Sequence, residues 1–309
     1  MANEGKSGDE LANDEIATHE KYTSFESKYN RPRASLKWLL LDVVCFAVVG
    51  LPILVLFLIG VPYKRGFNCH DDSINKPFKK STVSSPLATA VGLILPGITF
   101  VLIEYFLHRS KNQKVANAKD VGPVIYIGPI KLNSLLLKLL KITIVFLFGA
   151  AVNVLLTDVG KYGVGRLRPH FLFVCKPKMG VISNCTEGEY ITGDVCTGDE
   201  SLIRQARLSF PSGHSSFAAY TMVFLVLYLQ ARLNISSSLL LKPVLQIAAL
   251  ILALLCGISR VSDYKHHWSD VLSGFILGTM VAYMVVWKLL KWFKNISGEK
   301  QKMSLKDIV

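Results

Sequence analysis

Apolar residues in this chain gather in runs close to the roughly 20 residues a helix needs to cross the hydrocarbon of a bilayer. Six such runs can be laid along it: about Trp38–Ile59, Leu87–Leu107, Leu135–Leu156, Phe217–Leu229 with its flanks, Leu239–Ile258 and Val271–Leu290. The pattern predicts an all-α, polytopic membrane protein with six transmembrane helices in a bundle. Composition agrees, with 51% of the 309 residues hydrophobic, 18% charged and a mean hydropathy of +0.38. An average soluble domain is about 25% charged, so this chain is short of residues to cover a water-facing surface. A disordered tail protein, a disulfide-dense mini-protein and a soluble globule are excluded. Lys138 and Lys141 enter the third run in its first turns, where long stems reach back to the interface. Pro52 and Pro96 should kink their helices. No internal repeat supports a two-fold transporter architecture.

The net charge of +13 raises nucleic acid as a partner, but most cations flank apolar runs, as interface charges do, and no nucleic acid is expected. No removable signal peptide is visible in the polar first 37 residues. The expected organisation is a cytoplasmic tail over 1–37, a membrane domain over 38–293 with a long outer loop near 158–216, and a cytoplasmic tail over 294–309. Six spans put both termini on one side, and Lys and Arg lean toward that side as the cytoplasmic one. Cysteines are the better witness. Cys45 and Cys256 fall within spans, whereas Cys69, Cys175, Cys185 and Cys196 all lie in loops of the opposite face. Four loop cysteines on one face suit an oxidising compartment, with three pairings open if all are bridged. Asn184-Cys185-Thr186 adds a glycosylation acceptor at Asn184 in the same loop, whereas the sequons at Asn234 and Asn295 fall on the cytoplasmic side and read as chance matches. The long loop is therefore placed in the extracellular or lumenal space.

Charge is scarce in the chain, yet it collects at four helix ends that emerge on that outer face. Lys161 and Arg168 follow the third run, Ser212-Gly213-His214 opens the fourth, Ser259-Arg260 closes the fifth, and His266 through Asp270 opens the sixth. Each alone is ordinary anchoring or capping. Together they bring cations, two histidines and a carboxylate to one membrane face, where ionisable groups are functional candidates. The chemistry they suit is phosphoryl transfer. Lys161, Arg168 and Arg260 can neutralise a phosphate, and the N–H groups at Ser212 and Gly213 can cradle an anion at a helix start. His266 can attack phosphorus if Asp270 holds its other nitrogen, and His214 can protonate the leaving alkoxide and then activate water. No carboxylate pair or Cys/His cluster suggests a Mg²⁺ or Zn²⁺ site, so no metal and no cofactor is expected.

The strings KYGVGRLRP, PSGH and SRVSDYKHHWSD match K-x6-R-P, P-S-G-H and S-R-x5-H-x3-D, in this order. The chain thereby resembles the type 2 phosphatidic acid phosphatase superfamily, and RLRPHFL, LYLQARL and SRVSDYKHHWSDVL are similar to its phospholipid phosphatase (lipid phosphate phosphatase) branch in particular. The resemblance spans about Leu36 to Phe293. It implies a magnesium-independent phosphatidate phosphatase, a phosphoric monoester hydrolase acting on phosphatidate, lysophosphatidate, sphingosine 1-phosphate and ceramide 1-phosphate through a phosphohistidine. It also implies catalytic His214, His266 and Asp270, with phosphate bound by Lys161, Arg168, Ser212, Gly213 and Arg260. Arg166, His170, Lys265 and His267 match no motif position and read as surface or supporting residues. The partners implied are lipid phosphates in the membrane, with a homo-oligomer also compatible. The expected location is the plasma membrane with an extracellular active site, or the endoplasmic reticulum and Golgi with a lumenal one.

Three other readings use the same residues: a phosphatase for soluble esters, a carrier of anionic lipids, and a non-catalytic scaffold. A carrier has no need of paired histidines, and the long loop holds no clear recognition motif. The terminal Lys-Asp-Ile-Val is a weak signal for a PDZ-type groove.

Overall fold

The computed structural model of the chain describes residues 36–115, 125–127, 130–132, 134–186, 188–233 and 238–290. Nearly all of both tails, and the sequons at Asn234 and Asn295, lie outside these residues. Six long helices are present among them: α1 (Leu36–Ile59), α2 (Ser85–Val115), α3 (Ser134–Val164), α4 (Gly213–Arg232), α5 (Leu241–Ser262) and α6 (Trp268–Val285), the last continued by a π-helical turn over Val286–Leu290. Small antiparallel pairs join Phe67–Asn68 to Tyr190–Ile191 and Ile125–Ile127 to Ile130–Leu132. The fold is helical, as the apolar pattern predicts.

Five of the six helices are long and apolar enough to cross a membrane; α4 does not meet that standard. The reason is its position. It stands at the centre, packed against α2, α3, α5 and α6, so lipid makes little demand on its composition. Its polar side chains are satisfied inside the protein: the Tyr220 hydroxyl donates to the Phe146 carbonyl at 2.7 Å, and Thr221 donates back to Phe217 at 3.0 Å. Phe100, Phe146, Tyr220, Phe224 and Tyr228 form an aromatic core around it, with neighbouring centroids 4.6–6.1 Å apart. At the end of α4 away from the motifs, Arg232 clamps the buried Glu104 of α2 through two 2.7 Å bonds. That pair explains how a carboxylate is tolerated within a span. By contrast α1 packs chiefly on α3 and exposes Leu51, Leu54, Phe57 and Leu58, as a lipid-facing helix does.

The closest approach in the bundle is between α4 and α6, and it is made by glycine. A Cβ on Gly274 would meet the Ser212 carbonyl, and one on Gly278 would collide with the Ser216 carbonyl and the Tyr220 amide. Gly274-Phe-Ile-Leu-Gly278 is a small-xxx-small stripe, which lets two backbones touch where no hydrophobic force between helices operates in lipid. Because the contact begins at both N-termini, it sets the PSGH turn directly beside His266–Asp270.

The long loop near 158–216 and the segment after α1 fold together as one unit. It carries short helices at Phe171–Cys175 and Glu200–Ala206 and its own core around Phe67, Phe171, Val174, Ile191 and Ala206. Of the three pairings the cysteines allow, the fold makes Cys69–Cys185 and Cys175–Cys196. The first spans 116 residues and the second 21. In the chain-entropy account such loops contribute up to about 4–5 and about 3 kcal/mol. Replacing Cys69 and Cys185 with Ser should lower the melting temperature in detergent more than replacing Cys175 and Cys196. Equal losses would show that loop length is not what the bridges contribute.

Candidate active site

α3 delivers the first cations. It runs past its apolar stretch to Val164 and carries Lys161 on its last turn, where Nζ lies 3.2 Å from Asp158 and against the backbone of Gly213. Gly165 then ends the helix at φ +58, its N–H closing on the Lys161 carbonyl, with the Tyr63 backbone where a side chain would stand. This tight exit turns Arg166 and Arg168 back over the bundle. Arg168 is fixed by its own N–H to the Ala206 carbonyl (2.8 Å) and by a 3.4 Å bond from Nη2 to Leu208, while its Nε is buried with no hydrogen-bond partner. A guanidinium N–H buried without an acceptor is costly, and it keeps a donor on Arg168 free to meet an acceptor. Burial, with Arg260 nearby, lowers the Arg168 pKa to about 10, which still leaves it charged at neutral pH.

At the start of α4, Ser212 caps the helix, its hydroxyl accepting from the Ser215 N–H at 3.5 Å and from the Ser215 hydroxyl at 2.9 Å, and its own N–H donates to the Asp270 carbonyl at 3.0 Å. Gly213 leaves room for Lys161, and His214 faces Ser85 with Nε2 3.5 Å from the hydroxyl. Arg260, 1% exposed, is braced by Ser259 and by Asp263 at 3.1 Å. Lys161, Arg168, Gly213, His214 and His266 line one cavity of about 430 Å³, and Arg168, His214, Arg260 and His266 also line a second. The motif residues of four helix ends therefore converge. Ser212 stands just behind, shaping the turn.

His266 is 4% exposed, and its Nδ1 lies 2.7 Å from the Ser209 carbonyl. A carbonyl can only accept, so Nδ1 carries the proton and Nε2 keeps its lone pair. Burial, ahead of the neighbouring cations, pushes the His266 pKa down to about 3, so the ring is neutral at physiological pH. Asp270 is fully buried and stays 3.8 Å from Nδ1. Its direct partners are others: Arg166 Nη1 at 2.6 Å, the Ser209 hydroxyl at 2.6 Å, and the His267 N–H and Nδ1 at 3.0 and 3.2 Å. Asp270 thus holds Ser209, whose backbone holds His266, and supplies negative charge beside the ring.

Sequence reasoning missed three contributions. Arg166 neutralises Asp270 and was legible only as one more cation of the first motif. Ser209 lies outside every motif. Asn153, Thr157 and Ser216 form a buried polar group on the cavity wall, with Ser216 Oγ 3.2 Å from Asn153 Nδ2 and 2.8 Å from Thr157 Oγ1. Polar residues inside an apolar run were the available signal. Asn184 is exposed on the long loop. Among the described residues no three His, Cys, Asp or Glu side chains are grouped as a metal site.

His170 is buried against Phe78, with Nδ1 donating to the Tyr264 carbonyl at 2.7 Å, and burial lowers its pKa to about 4. In the unfolded chain it titrates near 6.5, so between about pH 6.5 and 4 the unfolded state binds the extra proton. Stability contributed by neutral His170 is therefore complete above pH 6.5 and is lost as pH falls toward 4. His170→Gln should flatten part of the drop in melting temperature between pH 7 and pH 4.5. Parallel curves for wild type and variant would contradict this.

Residues 142–294 match the model of the PAP2 superfamily. Phospholipid phosphatase 1 of Rattus norvegicus is 42% identical over 280 residues, covering 89% of this chain and 92% of its own length. Phospholipid phosphatase 2 of Mus musculus is 41% identical over 259 residues, 84% of this chain and 88% of its own. A solved structure, the transmembrane PAP2 type phosphatidylglycerolphosphate phosphatase from Bacillus subtilis, is 20% identical across 79% of this chain and 93% of its own, with a TM-score of 0.31.

Proposed function

This chain belongs to the PAP2 superfamily, among the phospholipid phosphatases, and from that premise we propose that it hydrolyses lipid phosphate monoesters through a phosphohistidine at His266. The carrying observation is the neutral His266, held through Nδ1 by Ser209, in a cavity wall shared with Lys161 and with Arg168, whose buried Nε lacks an acceptor. The phosphoryl oxygens take the place of that acceptor, with Lys161, Arg168 and Arg260 and the amides at the start of α4 drawing off charge. Nε2 forms the bond to phosphorus as the P–O bond to the lipid breaks. His214, which takes up a proton once the phosphate dianion offsets Lys161, Arg168 and Arg260, gives it to the departing alkoxide and, now neutral, takes one from the water that attacks the phosphohistidine. Asp270 stabilises the phosphoimidazolium between the two steps. Phosphate leaves and His266 is regenerated.

The substrates proposed are phosphatidate, lysophosphatidate, sphingosine 1-phosphate and ceramide 1-phosphate, whose chains remain in lipid while the headgroup meets the cations. The site faces the extracellular or lumenal side, with both tails cytoplasmic. Support comes from the disulfides of the outer unit and the exposed Asn184 acceptor on the same loop. The division into tails over 1–37 and 294–309 around a membrane domain is part of the same proposal.

The test is phosphate release from phosphatidate in mixed micelles with EDTA present. Release that survives chelation, with a base-stable, acid-labile label on the His266 peptide, is the expected result. Release only from soluble esters would move the substrate class to water. No release from either would overturn the hydrolase reading.

A further inference from the structure

The catalytic groups stand between two cavities, since Ser85, Arg168, His214 and His266 belong to the walls of both. The smaller is completed by Ala88, Val154 and Phe217 of the membrane helices α2, α3 and α4. The larger, about 740 Å³, is completed by outer residues, among them Phe78, Lys80, Gln205 and Lys265. A lipid ester needs only the first. Hydrolysis makes two unlike products, however. The lipid alcohol stays in hydrocarbon, whereas inorganic phosphate carries one to two charges and is expensive to move along an apolar wall.

The outer cavity is lopsided in charge: Lys80, Arg168, Arg260 and Lys265 line it, and no carboxylate does. Lys265 is 8% exposed, yet no Asp or Glu among the described residues stands within ion-pair distance of it. Asp263, two residues away, is occupied by Arg260 and by the Thr82 N–H and hydroxyl. The Lys265 ammonium instead sits over the Phe78 ring, 3.6 Å from its centroid. Phe78 and Lys80 are held there by the segment between α1 and α2, which is strapped to the α5–α6 turn by Thr82 and by Lys79, whose Nζ donates to the Ser262 carbonyl at 3.3 Å and lies over Tyr264. A nearly buried ammonium with an aromatic face in place of a carboxylate keeps N–H donors for an anion.

We propose that Lys265, together with Lys80, forms a second oxyanion site in the outer cavity, which receives inorganic phosphate released at His266 and passes it to the aqueous side. The source of the phosphate rests on the hydrolase reading; the anion site does not. Phosphate rebinding at His266 alone competes with the lipid. Phosphate held in the outer cavity while lipid or phosphohistidine occupies the first site instead lowers the maximal rate.

The experiment titrates inorganic phosphate against phosphatidate with the purified full chain in mixed micelles, for wild type, Lys265→Met and Lys265→Arg. Wild type should show mixed inhibition. The constant governing the effect on maximal rate should weaken by about fivefold or more in Lys265→Met, the loss of one charge-assisted contact of about 1 kcal/mol, and return in Lys265→Arg. Purely competitive inhibition of wild type, or a rate effect indifferent to Lys265→Met, overturns the site. A second readout does not need turnover. Burial lowers the Lys265 pKa to about 8, which makes it open to acylation at mildly basic pH. Phosphate, but not chloride at equal ionic strength, should slow its acylation in wild type and in His266→Ala, read by peptide mass spectrometry. If wild type hydrolyses no phosphatidate, the hydrolase reading fails, and this protection alone decides the anion site: its absence overturns it.

Discussion

His266→Ala should lose phosphate release by about 10⁴-fold or more while melting within a few degrees of wild type. The size follows from the role: a residue that bonds to the reacting atom has no substitute, and removing one member of a nucleophile–base set costs nearly as much as removing all. The mild effect on folding follows from the environment. His266 is neutral and gives one hydrogen bond, to the Ser209 carbonyl, so its loss frees no charge. The cations proposed to bind phosphate remain, so the variant should still bind vanadate or phosphate. Micellar assays on wild type and variant, with melts on the same preparations, check this. Activity within about tenfold of wild type would place the nucleophile elsewhere.

Asp270→Ala should damage both folding and catalysis. The carboxylate is fully buried and accepts from Arg166, Ser209 and twice from His267. Removing it leaves Arg166 only the Ser269 hydroxyl and the cap of α6 without its acceptor, and breaking a buried ion pair from one side costs about 3–5 kcal/mol. Activity should fall by about 10²–10³-fold through two routes, because Ser209 loses its anchor and the phosphoimidazolium loses its nearby negative charge. Asp270→Asn separates them. It keeps the shape and most acceptors, so it should recover much of the melting temperature but little of the rate. A variant recovering both equally would make Asp270 a purely structural residue.

These expectations rest on groups whose spacing along the chain says little about their distance in space. The helical character was legible because apolar runs near 20 residues have few other uses. So was the side on which the motifs meet: in an alternating bundle, helix ends of one parity emerge together whatever the packing. The convergence of Lys161, Arg168, His214, Arg260 and His266 was legible because cations and histidines are costly at membrane depth. α4 was the weakest reading, and the reason is visible in Tyr220, Thr221 and Tyr228, which a helix walled by other helices can carry and a lipid-facing one cannot.

Other features depended on the folded chain. The His266–Asp270 spacing of four predicts a contact, yet the shortest bond of His266 Nδ1 is to the Ser209 carbonyl, 57 residues away along the chain. Arg166 looked like a neighbour of Arg168 and proves to be the counter-ion of Asp270, since the turn at Gly165 sends the two guanidiniums to different sites.

What the sequence by itself determined is local or one-dimensional: which stretches are apolar enough for a membrane, which ends share a side, and which charged residue types gather there. Hydropathy and parity suffice for these because the bilayer imposes a single axis. The tertiary structure decided the hydrogen-bond partners, the cysteine pairing and the existence of two cavities around one catalytic group. The close contact of α4 with α6 at Gly274 and Gly278 sets the first, and a loop unit with its own core sets the cysteine pairing. Hydrogen bonds and ion pairs act over a few ångströms, and only the packed chain sets distances that small.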